Sequence, residues 1–308
     1  MTGAATVAVT GYGLHLPDAD LTADFPFLAG RIPPGRACPP DQAHVILGRK
    51  GLLGKDAATR LALCAVHGAL RLAPGAARPA GPPDPGTAVV VSSNLGNVAS
   101  VVDTARSARE GGRRAISPLA VPNASSNVVA STVAIWFRLG GPNVMVCSGA
   151  TSGLDAVALG TLMLRAGRAR RVVVVGTEPA DDDALALYRE RTVPASPLRA
   201  GAACVVLEPD GPPGTPRLGL VRTERWPANA PSRSRLVSWL DGAAGSELDL
   251  AGMCGDLYGA AGVALVALAA GLSGHPGADG VVEVECGDGA DGGRAAAVRA
   301  AGEDGPGG

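Results

Sequence analysis

Aromatic side chains are scarce in this 308-residue chain: they make up 3% of it, three each of Phe, Trp and Tyr. A core without large rings must close through small side chains. The chain has 44 glycines and an abundance of alanine, which suits helices packed closely on sheets. A surplus of one charge sign is also missing. Lys and Arg number 27 and Asp and Glu 28, a net charge of −1. Nucleic acid or an acidic membrane surface would call for a basic surplus, so neither is an expected partner. Long apolar runs are absent too: the Ala/Leu/Val segment at 260–272 is too short to cross a bilayer. The first residues do not read as a signal peptide. Six cysteines (Cys38, Cys64, Cys147, Cys204, Cys254 and Cys286) show no CxxC spacing, and several sit in apolar runs. They read as small buried hydrophobes in a reducing cytoplasm, with no metal site and no cofactor expected. Histidine is limited to His15, His44, His67 and His275.

What is present centres on residues 144–178, VMVCSGATSGLDAVALGTLMLRAGRARRVVVVGTE. A short apolar strand leads into a turn of small residues, Ser148-Gly149-Ala150-Thr151-Ser152-Gly153. A helix follows with apolar positions at Leu154, Val157, Ala158, Thr161, Leu162 and Leu164, and a second strand of valines closes the unit. Such a βαβ unit puts the elbow at a helix N-terminus, where backbone N–H groups and the dipole favour an anion. An activated nucleophile is commonly placed there. The tip of this elbow is Ala150, and a methyl group attacks nothing.

Other elements are legible by the same rules. Residues 6–10 form a first strand that ends in the glycine turn Gly11-Tyr12-Gly13, and 18–50 read as loop. Helices are expected over 56–72, 96–110 and 122–137, and Asp181-Asp182-Asp183 reads as a helix start, not a metal triad. In the 96–110 helix, Val98, Val101, Val102 and Ala105 form one apolar stripe. By periodicity alone that stripe packs against the chain's own core.

The segment Gly149-Ala150-Thr151-Ser152-Gly153-Leu154-Asp155-Ala156 resembles the active-site elbow of the β-ketoacyl synthases, condensing enzymes of thiolase fold. In that family a cysteine stands where Ala150 does. The strand at 200–208, AGAACVVLE, and the turn Gly255-Asp256-Leu257-Tyr258-Gly259-Ala260-Ala261-Gly262 also resemble family motifs. The resemblance implies an α/β, thiolase-like fold: two similar βαβαβ halves in a layered α-β-α-β-α sandwich. It places the N-terminal half at 1–210, a shortened C-terminal half at 211–300, and a disordered tail at 301–308.

A condensing enzyme needs a nucleophile, imidazoles to stabilise an enolate, and backbone donors for an oxyanion. By the resemblance, Asp241 and Asp256 occupy the two histidine positions, and Asp291 that of a gating phenylalanine. An aspartate is normally anionic at neutral pH and opposes a developing enolate. The branch without the cysteine is the chain-length factor, the partner of type II polyketide ketosynthases. The resemblance therefore implies a non-catalytic subunit that forms a heterodimer with an active ketosynthase. The subunit would shape the acyl tunnel for an aromatic or polyene polyketide, and acyl carrier protein would be reached through the complex. Val98, Val101, Val102 and Ala105 would then line the tunnel at the subunit interface.

Two other readings stay open on the sequence. Gly149-Ala150-Thr151-Ser152-Gly153 fits a threonine variant of the hydrolase elbow, with Thr151 or Ser152 as the nucleophile of an independent acyl hydrolase or transferase. Its base would have to be His275, the one histidine after the elbow. Arg106, Arg113, Arg114, Arg165, Arg168, Arg170 and Arg171 could receive an acidic carrier protein, although solvated helix ends are the default reading for such residues. Cys147, three residues before the tip, reads as core packing, not as a displaced nucleophile.

Overall fold

Runs of valine and alanine without a turn residue form the strands at the centre of the chain. They are β2 (Thr87–Ser92), β4 (Arg171–Glu178) and β5 (Gly201–Glu208), buried along almost their whole length as strands covered on both faces must be. With β1 (Val7–His15) at one side and β3 (Asn143–Val146) at the other, the order is β3-β2-β4-β5-β1. β2 runs parallel to β3 and β4, whereas β5 is antiparallel to both of its neighbours. The structure, a computed structural model, describes residues 6–25, 37–118, 120–191, 196–240, 243–273 and 280–300. Asp241, His275 and the tail at 301–308 lie outside the described residues.

The sheet continues beyond β1 through the two-residue β6 (Arg217–Leu218), which pairs with β1 and with β11 (Gly292–Arg299). Next come β10 (Val281–Asp288), β8 (Arg233–Leu240) and β9 (Ala243–Asp249), all antiparallel, while β7 (Arg222–Glu224) also pairs with β11. The described strands thus form one 11-stranded sheet.

The helices are α1 (Leu21–Asp24), α2 (His44–Leu47), α3 (Ala57–Ala69), α4 (Val98–Gly111), α5 (Val128–Phe137), α6 (Ser152–Arg165), α7 (Asp182–Arg189), α8 (Leu250–Cys254) and α9 (Ala261–Ser273). Asp56 caps α3 by accepting the Thr59 N–H at 2.7 Å, and Asp181 caps α7 by accepting that of Ala184 at 3.0 Å. Both starts are where carboxylates predict them. α3 and α5 cover one face of the N-terminal strands and α6 covers the other. α9 is apolar on every side. It lies between β1, β4 and β5 above and β8, β10 and β11 below, so it has no polar stripe to offer water.

One contact fixes the site. A Cβ on Gly153 would lie 2.6 Å from the Gly262 nitrogen, and one on Gly262 would lie 2.4 Å from the Leu154 nitrogen. α6 and α9 therefore touch backbone to backbone near their starts. This sets the 3-10 turns that precede them, Gly149–Thr151 and Tyr258–Ala260, side by side.

Several expectations change in detail. Gly11-Tyr12-Gly13 continues β1 and does not turn. α3 lies directly on this backbone, and a Cβ at Gly13 would be 2.4 Å from the Ala65 carbonyl oxygen. Residues 18–50 include the short helices α1 and α2. The helix expected over 122–137 is a 3-10 turn, Val121–Ala124, followed by α5. The strands β8 and β9 have no counterpart in the sequence reading. The outer face of the C-terminal strands carries ion pairs: Arg235 with Glu247 and Glu285, and Arg222 with Glu224 and Glu283. The fifth, helical layer of the expected sandwich is not among the described residues. No described helix is long and apolar enough to cross a membrane.

Candidate functional site

The elbow leaves β3 through Gly149, which sits in the left-handed region at φ 70°. A Cβ there would lie 2.0 Å from Asp291 Oδ2, so the position takes glycine for two independent reasons. Ala150 follows, buried at the tip. Its backbone N–H donates to Asp291 Oδ2 at 2.8 Å. The donor that would stabilise an oxyanion is already bonded to an internal carboxylate. Asn94 clamps the turn from the end of β2. Its side-chain amide donates to the Gly149 carbonyl at 2.9 Å, and its Oδ1 accepts the Gly149 N–H at 3.0 Å.

The hydroxyls beside Ala150 are spent in the same way. Ser152 Oγ is buried, donates to Asn94 Oδ1 (3.0 Å) or Gly149 O (2.8 Å), and accepts the Ser148 N–H at 2.7 Å. Thr151 Oγ1, also buried, lies 2.7 Å from Asp155 Oδ2 and 3.0 Å from the Ser148 carbonyl. Neither faces an imidazole among the described residues, and so neither is set up as a nucleophile.

A charged network closes the other side. Arg191 bonds the Tyr258 hydroxyl, Asp288 and Asp291, the last at 3.0 Å, with its guanidinium 4.0 Å from the centre of the Tyr258 ring. Asp288 in turn accepts the N–H groups of Ala290 (2.9 Å) and Asp291 (2.7 Å), which shapes the turn that aims Asp291 at the elbow. Asp256 is buried and accepts from the Tyr188 hydroxyl, the Ser232 hydroxyl at 3.0 Å and the Tyr258 N–H at 2.6 Å. Burial raises the pKa of both phenols, and the neighbouring Asp256 raises that of Tyr188 further.

Beneath the elbow lies Glu178, fully buried at the end of β4. Its carboxylate accepts from the Ser93 hydroxyl (3.1 Å) and from the N–H groups of Asn94 (2.7 Å) and Leu95 (3.0 Å). Burial outweighs these donors and pushes its pKa up to about 7. The folded pKa exceeds the unfolded one, about 4.3, so the folded state binds more protons between those values. The stabilisation is complete below the unfolded pKa and is lost as pH rises through about 7. Glutamine does not titrate. The stability gap between wild type and Glu178→Gln, read from urea unfolding, should therefore be about 2.5 kcal/mol larger at pH 5 than at pH 8.

The structure gathers Ala150, Asp256 and Asp291 at one place, through Tyr258 and Arg191, while Asp241 lies outside the described residues. Val98 packs against the cluster of Leu95, Ala150, Tyr188 and Tyr258. The rest of its stripe differs from a core face: Val101 and Ala105 are exposed, Val102 is half-buried, and no residue of α4 is buried. Cys147 corrects the sequence reading, because it is exposed where β3 ends. β3 is an edge strand, and its residues are open on the side that a central strand would cover. His67 is a buried histidine on α3, with Nε2 unpartnered. Of the seven arginines, Arg106, Arg170 and Arg171 hold surface ion pairs with Asp103, Asp84 and Glu208. Asn94, Glu178, Arg191 and Asp288 were missed by sequence reasoning. Their partners lie far along the chain, 55 residues in the case of Asn94 and Gly149, and no spacing rule marks them.

Residues 49–196 match the family model described as "Beta-ketoacyl synthase, N-terminal domain". That match covers just under half of the chain, and the fold is the thiolase fold. Among curated proteins it is 33% identical over 92 residues to 3-oxoacyl-[acyl-carrier-protein] synthase 2 of Rhizobium meliloti (strain 1021), which is 30% of this chain and 22% of that one. It is 32% identical over 93 residues to the synthase of the same name from Vibrio harveyi, again 30% and 22% of the two chains. The chain thus spans about a fifth of the length of the curated relatives it matches. Among solved structures, the ishigamide ketosynthase/chain length factor superposes with a TM-score of 0.72 at 21% identity, over 96% of this chain and 100% of that one. A type II polyketide synthase acyl-carrier protein in complex with its ketosynthase bound to the hexaketide gives 0.68 at 12% identity, over 96% and 99%. At these identities the likeness concerns the fold. The elbow lies within the matched residues and carries Ala150 at its tip.

Proposed function

We propose that this chain is a non-catalytic, chain-length-factor-like subunit that pairs with an active ketosynthase and shapes the cavity in which a polyketide grows. One observation carries the reading: the elbow tip is a methyl group whose backbone N–H is already held by Asp291. An elbow occupied in this way has no place for an acyl thioester, whereas its surface can still serve a partner. Support comes from β3, an edge strand with unpaired backbone groups on its outer side. α5 and α6 pack beside it and expose Ile135 and Leu162, 74% and 61% accessible. Apolar side chains that open next to a sheet edge suit a covered interface. In that assembly the α4 stripe Val98, Val101, Val102 and Ala105 would face the shared tunnel, since Val101 and Ala105 are exposed and no residue of α4 is fully buried. The growing acyl chain would arrive on a carrier protein bound to the complex. The halves at 1–210 and 211–300 would act as one body, stitched by β6.

Co-expression with a ketosynthase that retains its Cys/His/His set should give a stable heterodimer, and the chain expressed alone should self-associate. Ile135→Asp with Leu162→Asp should abolish co-purification while the chain keeps its circular dichroism. A soluble monomer that ignores every such ketosynthase would refute the proposal. The reading of Thr151 or Ser152 as a hydrolase nucleophile loses its support, because both hydroxyls are buried and bonded.

A further inference from the structure

Away from the elbow, three side chains with ligand chemistry converge from separate parts of the fold. His15 ends β1, Cys38 lies just before the 3-10 turn Pro40–Gln42, and Cys64 sits in the middle of α3. One imidazole nitrogen and two sulfurs lie within 4.8 Å of one another. His15 Nε2 is 3.8 Å from Cys38 Sγ and 2.8 Å from the Cys38 carbonyl oxygen. A tetrahedral zinc ion, bound at about 2.1 Å by nitrogen and 2.3 Å by sulfur, keeps its donors about 3.5–3.8 Å apart. The nitrogen–sulfur distance already meets that requirement, and side-chain rotation of about 1 Å brings in the third donor.

The surroundings agree with the donor set. His15 and Cys64 are buried and Cys38 is partly exposed, so the cluster reaches solvent on one side. The Cys64 thiol hydrogen bond lowers the pKa of Cys38 far below an ordinary thiol, with His15 acting in the same direction against burial. A thiolate, not a thiol, binds metal. Two sulfurs and one imidazole select a borderline-soft ion over calcium or magnesium, which take oxygen ligands.

We propose that His15, Cys38 and Cys64 bind one zinc ion, with water in the fourth position on the exposed side of Cys38. Binding forms one Zn–N and two Zn–S bonds and displaces the thiol protons of Cys38 and Cys64 to solvent. The imidazole proton moves to Nδ1, and the Nε2 hydrogen bond to the Cys38 carbonyl is given up. The ion ties the end of β1 and the segment around Cys38 to α3. This is separate from the subunit role proposed above and stands or falls without it.

The test uses the full chain, stripped of metal and kept reduced with a phosphine that does not bind metal. Titration with Co²⁺ should give one ion per chain, with a thiolate-to-cobalt charge-transfer band and the visible bands of tetrahedral cobalt. Zn²⁺ should displace it one for one. Cys38→Ser, Cys64→Ser and His15→Gln should each lower affinity by more than about 100-fold, and Cys204→Ser, buried elsewhere, should leave it unchanged. Circular dichroism identifies any variant that has not folded, and Cys38→Ser, at the half-exposed position, is the decisive one. A folded, fully reduced chain without the charge-transfer band, or a band that survives Cys38→Ser, overturns the proposal.

Discussion

Ala150→Cys alone is expected to give an elbow thiol that reacts slowly, whereas Ala150→Cys with Asp291→Ala should react about 100-fold faster. In the single variant the Asp291 carboxylate still accepts the N–H of residue 150, 2.8 Å away in the native protein. It opposes formation of a thiolate by its charge and holds the donor that an acyl transition state would need. Removing it opens the N–H and leaves the thiol at the start of α6, where the helix dipole favours an anion. Rates of alkylation by iodoacetamide and of acyl uptake from a thioester, both followed by intact-mass spectrometry, read this out. Equal rates for the single and double variants would show that Asp291 does not guard the elbow. Neither variant should condense acyl groups, because Asp256 offers no imidazole.

Arg191→Ala is the second large effect expected, a loss of about 3–5 kcal/mol in unfolding free energy. The substitution strands Asp288, 1% exposed, and leaves Asp291 without its counter-charge. A charge that remains buried and unpaired costs more than the pair itself contributes. Adding Asp288→Asn to the Arg191→Ala background should therefore recover part of the loss. Urea denaturation of the three proteins measures both steps, and a loss below about 1 kcal/mol for Arg191→Ala would contradict the role of Arg191 as the centre of this network.

Features that depend on close neighbours along the chain are legible in the sequence. Ala150 at the tip, the caps at Asp56 and Asp181, and the strand Gly201–Glu208 all follow from local pattern. The errors share one cause. Gly11 and Gly13 look like a turn until α3 is seen lying on them, and Cys147 looks buried until β3 proves to be the edge of the sheet. Glu178 ends a run of valines, and nothing nearby announces that three donors from residues 93–95 await its carboxylate. The same holds for His15, Cys38 and Cys64, whose separations of 23 and 26 residues match no ligand spacing.

The sequence by itself determined that the elbow tip carries no nucleophile, because the identity of residue 150 is a covalent fact independent of folding. It also determined where α3, α6 and α7 begin, since capping and periodicity act over a few residues. The tertiary structure alone decided that Asp291 occupies the vacated elbow, and that Arg191 joins Asp288, Asp291 and Tyr258. Those contacts span from about seventy to more than a hundred residues of chain. They exist because Gly153 and Gly262 let two helices meet at the backbone, which brings their N-terminal turns together.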